Sequence, residues 1–332
     1  MKIKCNEIKK KFMSTRYGSL IYLFIGKLLQ LTVVLFIVSF VTFFLMSLAP
    51  GNPASVMYEA AGIVPTEEMV ELVNEQLGVD KPFFERFGIW LSQCLKGDLG
   101  TSFSQHEEVS KLILRNLQPT IILAISILVV TLVVSIPLGI ISAVKKNKFT
   151  DYLIRYTSFI GISSPNFLVA LILTFIFSYK LKIFPVYNQF GTFQSMILPV
   201  CSLAIGMVAD YTRQIRTLYL EELSKDYVYG ARARGVSEIK ILLVHVMRNV
   251  MIPLITIIAF SLGSLLGGVA VVEVIFSFKG LGNLIVFAVD RRDYPLIQGL
   301  VLWIAMCYTV LNILSDLLYK VFDPRLRKMK VK

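Results

Sequence analysis

Side chains able to do chemistry are few and scattered in this chain. The four cysteines, Cys5, Cys94, Cys201 and Cys307, form no C-x-x-C pair, and two histidines, His106 and His245, are too few for an imidazole-built metal site. No G-x-x-x-x-G-K-[ST] loop is present to cradle phosphates, so any use of ATP has to come through a separate protein. Glu273 and Asp316 lie near the ends of apolar blocks. A carboxylate there either marks a transport path or is a solvated end group, and these two stand apart from each other, with no relay between them.

The densest run of polar and small residues is EELSKDYVYGARARGVSEIKILLVHVMRNVMIPLIT, from Glu221 to Thr256. Its first part, Leu223 to Arg234, predicts a helix that brings Tyr227, Ala231 and Arg234 together at helical spacing beside Ala233. Gly235 can take the left-handed conformation that ends a helix, and Ser237 can cap a second helix from Glu238. A short helix set off in this way offers a handle to a peripheral protein. The alternative is a solvated basic loop with no partner.

The elements that must hold this loop are apolar. The 332 residues carry 34 Lys plus Arg against 22 Asp plus Glu, for a net charge of +12. Apolar side chains make up 55% before glycine is counted, only 17% of residues are charged, and the mean hydropathy is +0.69. Soluble domains reach about 45–50% apolar with glycine included and about 25% charged, so these figures exclude one. Leu28 to Ala49 is uncharged and, at about 1.5 Å per residue, makes about 33 Å of helix, enough to cross a bilayer. It exceeds a signal-peptide core and reads as a retained anchor. Further blocks run from Ile121 to Val144, Phe159 to Tyr179, Val250 to Phe276 and Leu296 to Val321, with a weaker one from Met196 to about Tyr211 whose helix can continue through DYTRQIRTLY.

Six spans put both termini on one side. On that topology 24 of the 34 bases fall on the terminal side, so positive-inside bias makes it cytosolic. These bases flank the membrane and imply no nucleic-acid partner. The organisation expected is a basic cytosolic N-terminus (1–27), a first span (28–49), an extracytoplasmic helical region (50–119), a core of five spans (120–322) with a cytosolic loop at 221–249, and a basic cytosolic tail (323–332). The external region should hold helices in PTEEMVELVNEQLG and PFFERFGIWLSQCLKG, either as a structural cover or as a docking surface. Pro137, Pro165, Pro199 and Pro253 fall inside spans with Gly263, Gly267 and Gly268, and such residues break helices or allow close packing. The spacing Gly263-x-x-x-Gly267 suits a dimer face or packing within one bundle equally.

With these residues in view, the chain resembles a known family. DYVYGARARG followed by HVMRNVMIP looks like the EAA-type coupling loop of ABC importer permeases, in the dipeptide, oligopeptide and nickel branch. LAPGNPA, LKGDLGTSF, SSPNF, VIFSFKGLGNL, RRDYPLIQG and DPRLR resemble that branch in the same order. By spacing, the acid of the EAA motif falls on Tyr229, its alanines on Gly230 and Ala231, and its glycine on Gly235. Leu168 stands where the branch often has a tryptophan. The resemblance implies an all-α integral membrane protein with six spans, a translocation subunit that is not itself an enzyme and binds no cofactor. ATP and magnesium would belong to two ABC ATPase subunits. A homologous second permease, an extracytoplasmic substrate-binding protein and membrane lipid complete the expected partners.

On this resemblance, coupling to the ATPase falls to Asp226, Tyr227, Tyr229, Gly230, Ala231, Arg232, Ala233, Arg234 and Gly235. Ser163, Ser164 and Asn166, beside the broken third span, are expected to line the pathway. Peptides are the favoured cargo, with nickel or a metal chelate as the alternative. An ion-gradient-driven transporter would need paired intramembrane carboxylates and an inverted repeat, and neither is visible. A membrane hydrolase would need a nucleophile with its base, also unseen.

Overall fold

The computed structural model describes residues 16–48, 52–60, 63–77, 81–185 and 193–322, and among these its regular elements are helices joined by turns and short irregular segments, with one isolated bridge between Thr101 and Glu108. In chain order the helices are α1 (Arg16–Leu48), α2 (Pro53–Ala60), α3 (Glu67–Leu77), α4 (Phe83–Leu95), α5 (Val109–Val144), α6 (Phe149–Ser163) and α7 (Asn166–Leu173). There follow α8 (Phe193–Leu223), α9 (Asp226–Ala233), α10 (Glu238–Lys240), α11 (Met247–Ile275), α12 (Leu281–Asp290) and α13 (Tyr294–Phe322). Wide π turns cover Thr174–Lys180 after α7 and Ile241–Val246 before α11. Five helices are long and apolar enough to cross a membrane, and a sixth span results if the pair α6 and α7, bent by 100°, counts as one.

The break in that pair has a local cause. Ser164 stands before Pro165, whose ring disfavours helical backbone in its predecessor, and Ser164 is extended at φ −89, ψ 122. Its hydroxyl donates back to the Ile160 carbonyl at 2.9 Å, taking up an acceptor that the helix end leaves free. The other prolines behave otherwise. Pro137, Pro199 and Pro253 sit inside continuous helices, so of the four only Pro165 stands at a break. Neighbouring helices can absorb a lost hydrogen bond within a bundle.

The chain divides into two compact units, one of residues 1–110 with 288–313 and the other of residues 111–287 with 314–332. In the first, α1 and α4 meet through aromatic rings: Phe43 lies 5.5 Å from Phe83, Phe87 and Trp90, and Phe40 lies 5.5 Å edge-on to Phe87. The two helices foreseen in the external region are present as α3 and α4, and α2 was not foreseen. Asp293, fully buried, caps α13 by accepting from the Leu296 amide at 3.3 Å. It also accepts from the Ser102 and Ser104 hydroxyls, both at 2.6 Å, and from the Ser104 amide at 2.9 Å.

The second unit holds two buried clusters. One gathers Leu123, Ile127, Leu198, Leu203, Val269 and Phe278; the other gathers Tyr211, Ile215, Tyr219, Val228, Ile241 and Val250. α6 reaches α8 at Gly161, where a side chain's Cβ would stand 2.8 Å from that of Ala209, so only glycine permits the approach. The expected continuation of α8 through DYTRQIRTLY is observed, to Leu223.

Candidate functional site

The loop from Glu221 to Arg248 is built on the second cluster. The expected single helix from Leu223 to Arg234 is corrected: α8 stops at Leu223 and α9 starts afresh at Asp226. Ser224 turns its hydroxyl onto the Glu221 carbonyl at 2.8 Å, and Lys225 is extended, which interrupts the ladder for two residues. α9 then buries Val228 and Ala231 and leaves Asp226, Tyr229, Gly230, Ala233 and Arg234 on the outside.

Gly235 ends α9 as foreseen. Its φ is +76, its amide donates to Arg232 at 2.9 Å, and the Val236 amide donates to Ala231 at 3.2 Å. That pair of bonds is a Schellman motif, and Val236 packs into the same cluster as Ala231. Ser237 holds the extended cap conformation, with no side-chain cap bond, before α10.

Polar partners within the chain already take several side chains expected to meet a partner. Arg232 pairs with Glu238 at 2.7 Å, and Arg234 donates to the Gly230 carbonyl at 3.1 Å. The half-buried Tyr227 donates to Glu222 at 2.9 Å; burial raises its phenol above the ordinary value, so the hydroxyl stays protonated. Tyr229, more than half exposed, is the large side chain of α9 that faces outward.

Below the loop lies an ion pair that the sequence did not reveal. Asp151 on α6 is fully buried and accepts two bonds from the Arg216 guanidinium on α8, both at 2.8 Å. Ser142 and the Asn147 amide supply two more, at 2.6 and 2.9 Å. Four donors satisfy this carboxylate, the condition under which a buried pair holds elements together. The fork fixes α8, the helix that leads into α9, against α6 and the end of α5.

Glu273 is a second buried carboxyl group, also in this unit. It accepts from Thr120 at 2.6 Å and from the Gly282 and Asn283 amides at 2.7 and 3.3 Å. Thr120 in turn accepts from the Leu281 amide at 2.9 Å. Glu273 therefore caps α12 in trans. Its bonds hold α5, α11 and α12 together, which answers a local structural need. The side chain of Asp316 lies outside the described ones.

The pathway candidates cluster at the bend. Ser163 and Asn166 are exposed, and Ser164 is half-buried. None of the three lines the open apolar cavity of about 440 Å³ in this unit, whose walls include Val134, Gly161, Phe177, Cys201 and Ile205.

Comparison with known proteins follows this geometry. Residues 135–328 match the family described as binding-protein-dependent transport system inner membrane component, and residues 20–125 match its N-terminal counterpart. A protein of Brucella ovis named as a peptide permease is 37% identical over 313 residues, covering 91% of this chain and 96% of its own. The glutathione transport system permease protein GsiC of Escherichia coli is 37% identical, covering 91% of this chain and 98% of its own. The nickel import system permease protein NikB of Staphylococcus aureus is 36% identical, covering 91% and 90%. Among solved structures, the inward-facing MetNI methionine ABC transporter matches with a TM-score of 0.52 at 13% identity, over 64% of this chain and 96% of that one, a likeness of fold.

Proposed function

This chain belongs to the family of inner-membrane components of binding-protein-dependent transport systems, and from that premise we propose that it carries short peptides inward and takes its stroke from the ATPase through α9. It is a multi-pass permease subunit of an ABC importer in the cytoplasmic membrane, and ATP is hydrolysed by separate subunits. The partners proposed are two ATPase subunits, a second homologous permease and an external binding protein.

The observation that supports coupling is the division of α9 into a seated face and an open one. Val228 and Ala231 key into the cluster of Ile215, Tyr219 and Val250, while Tyr229 stands outward beside Gly230, which leaves room for close approach. A push on that open face would pass through a rigid seat into α8 and α11. Moving a transporter from 1:99 to 99:1 between its two access states takes about 5.5 kcal/mol of differential binding, and a contact that slides cannot deliver it. Peptide is favoured because one relative is named as a peptide permease and a second as a carrier of glutathione, itself a tripeptide. The nickel permease among the relatives supports metal-chelate cargo as a second reading.

The test is uptake of labelled di- to pentapeptides, and of nickel with and without histidine, in a deletion strain complemented with this gene or with Gly235→Asp. Wild type should restore peptide uptake. The variant should not, because an aspartate at φ +76 strains the turn and tilts α9 off its seat. Peptide uptake that does not depend on the gene would reject the reading, and gene-dependent uptake of nickel alone would replace it with the metal one.

The loop at 221–249 is proposed to face the cytosol and Cys94 the opposite side. Burial, with Asp98 adding to it, pushes the Cys94 thiol up to about 12, so thiolate is scarce at neutral pH and grows as pH rises toward that value. A membrane-impermeant maleimide should label Cys94 in intact cells, with a rate about tenfold higher at pH 8.5 than at 7.5, since each unit of pH below the pKa multiplies thiolate tenfold. Labelling that needs lysis would reverse the orientation.

A further inference from the structure

The first unit contains a cavity of about 700 Å³, within the size range of ligand pockets. Its walls include aromatic rings: Phe43 and Tyr294 are buried, and Trp90 is half-buried, 5.5 Å from Phe43. Its polar groups are mostly donors. Arg86 lies 5.8 Å from the centre of the Phe43 ring and has no acid partner among the described residues. Gln298 is nine-tenths buried, lines the cavity, and makes no hydrogen bond among the described residues. His106, held at φ +52, adds a third polar side chain.

The remaining charges of the lining are already engaged. Lys81 pairs with Glu85 at 2.9 Å, and Asp98 accepts from the Gly100 amide at 2.9 Å. What is left is the Arg86 cation, the buried Gln298 amide, His106 and Gln93, set among apolar walls. A guanidinium and a free amide lining one cavity suit a carboxylate, because both offer N–H groups in a plane to oxygens. Aromatic walls suit the apolar flank of the group that bears it.

We propose that this cavity is a cargo subsite that takes the free C-terminal carboxylate of a short peptide, with Arg86 and Gln298 as its donors and Trp90 against the last side chain. The inference rests on the peptide reading above and adds a place in this chain where cargo is recognised.

The chain has two tryptophans, Trp90 and Trp303, which makes the site directly readable. Trp303→Phe removes an indole N–H that has no partner and leaves Trp90 as the reporter. The full chain carrying this change, in phosphatidylcholine nanodiscs, is titrated with trialanine and with trialanine amide. A saturable change in Trp90 emission is expected with the acid. The amide should bind about tenfold more weakly, and so should the acid to Arg86→Gln, the range for a hydrogen bond to a charged group. Arg86→Lys, which keeps the charge but not the fork, should fall between.

Lys96→Gln removes the same charge from an exposed position outside the cavity and should bind like the parent. No saturable change, or equal binding of acid and amide, overturns the proposal. So does an emission change on adding phosphatidylglycerol to the discs that trialanine does not displace, which would assign the cavity to lipid. If binding fails while uptake of peptide still depends on the gene, the subsite falls and the function stands. If uptake does not depend on the gene, the function itself falls.

Discussion

The turn that closes α9 and the knot around Glu273 both end a helix, by opposite means. At α9 the bonds are local: Gly235 to Arg232, Val236 to Ala231, and the pair Arg232–Glu238, six residues apart and in solvent. At Glu273 the partners come from Thr120 and from Gly282 and Asn283, and the carboxyl group is fully buried. The first arrangement leaves a face free to be gripped. The second uses its polar groups to hold three helices and offers none to a visitor. A region that must engage a partner can be stabilised by its own short-range turn, whereas a region that must resist the resulting force needs contacts from distant parts of the chain.

The largest effect that would test this contrast is expected at Gly282. A Cβ there would overlap the backbone Cα of Ala270, which cannot rotate away. Gly282→Ala should cost about 3 kcal/mol or more, with loss of folded complex on size-exclusion chromatography. Recovery of normal amounts of folded complex would show that α12 is free to shift and that the knot is loose.

Glu273→Ala comes next. It leaves the Gly282 and Asn283 amides without their acceptor and the Thr120 hydroxyl with only the Asn116 carbonyl at 3.3 Å, at about 2–3 kcal/mol, read as a lower melting temperature of the detergent-purified complex. Gly280 sharpens the point, because a Cβ there would collide with the Glu273 carboxyl group itself. Gly280→Ala should therefore be harmful alone and nearly harmless when added to Glu273→Ala. Additive losses would mean that Gly280 matters for another reason.

The smallest effect belongs to the exposed pair. Arg232→Ala should change the melting temperature by less than the equivalent of about 1 kcal/mol, since solvent screens the attraction to Glu238. A stability loss like that of Glu273→Ala would erase the distinction drawn between the two regions.

The legibility of each part follows from the same contrast. The left-handed Gly235, the helices α3 and α4, the long α8 and the break at Pro165 were all readable, because each is decided by residues within a turn or two. The interruption at Ser224 and Lys225 was local too, yet it was missed: Ser and Lys are both tolerated in helices, and only the backbone bond made by the Ser224 hydroxyl reveals the choice. α12 went unread because GLGNLIVFAVD is short and its start is capped by a side chain from another helix.

By itself, the sequence determined that this protein lives in a bilayer, because uncharged runs of about 20 residues have no other stable environment. It also determined the break at Pro165 and the turn at Gly235, because proline disfavours helical backbone in the residue before it and glycine alone takes a left-handed φ without a steric cost. Only the tertiary structure decided what the buried charges do. Asp151 finds Arg216 across 65 residues, and Glu273 finds Thr120 across 153. A carboxylate's partners depend on which helices come within about 3 Å of it, and no spacing along the chain encodes that distance. At the bend the same limit holds: the sequence placed Ser163, Ser164 and Asn166 there, but only the fold shows that Gly161, two residues earlier, walls the cavity.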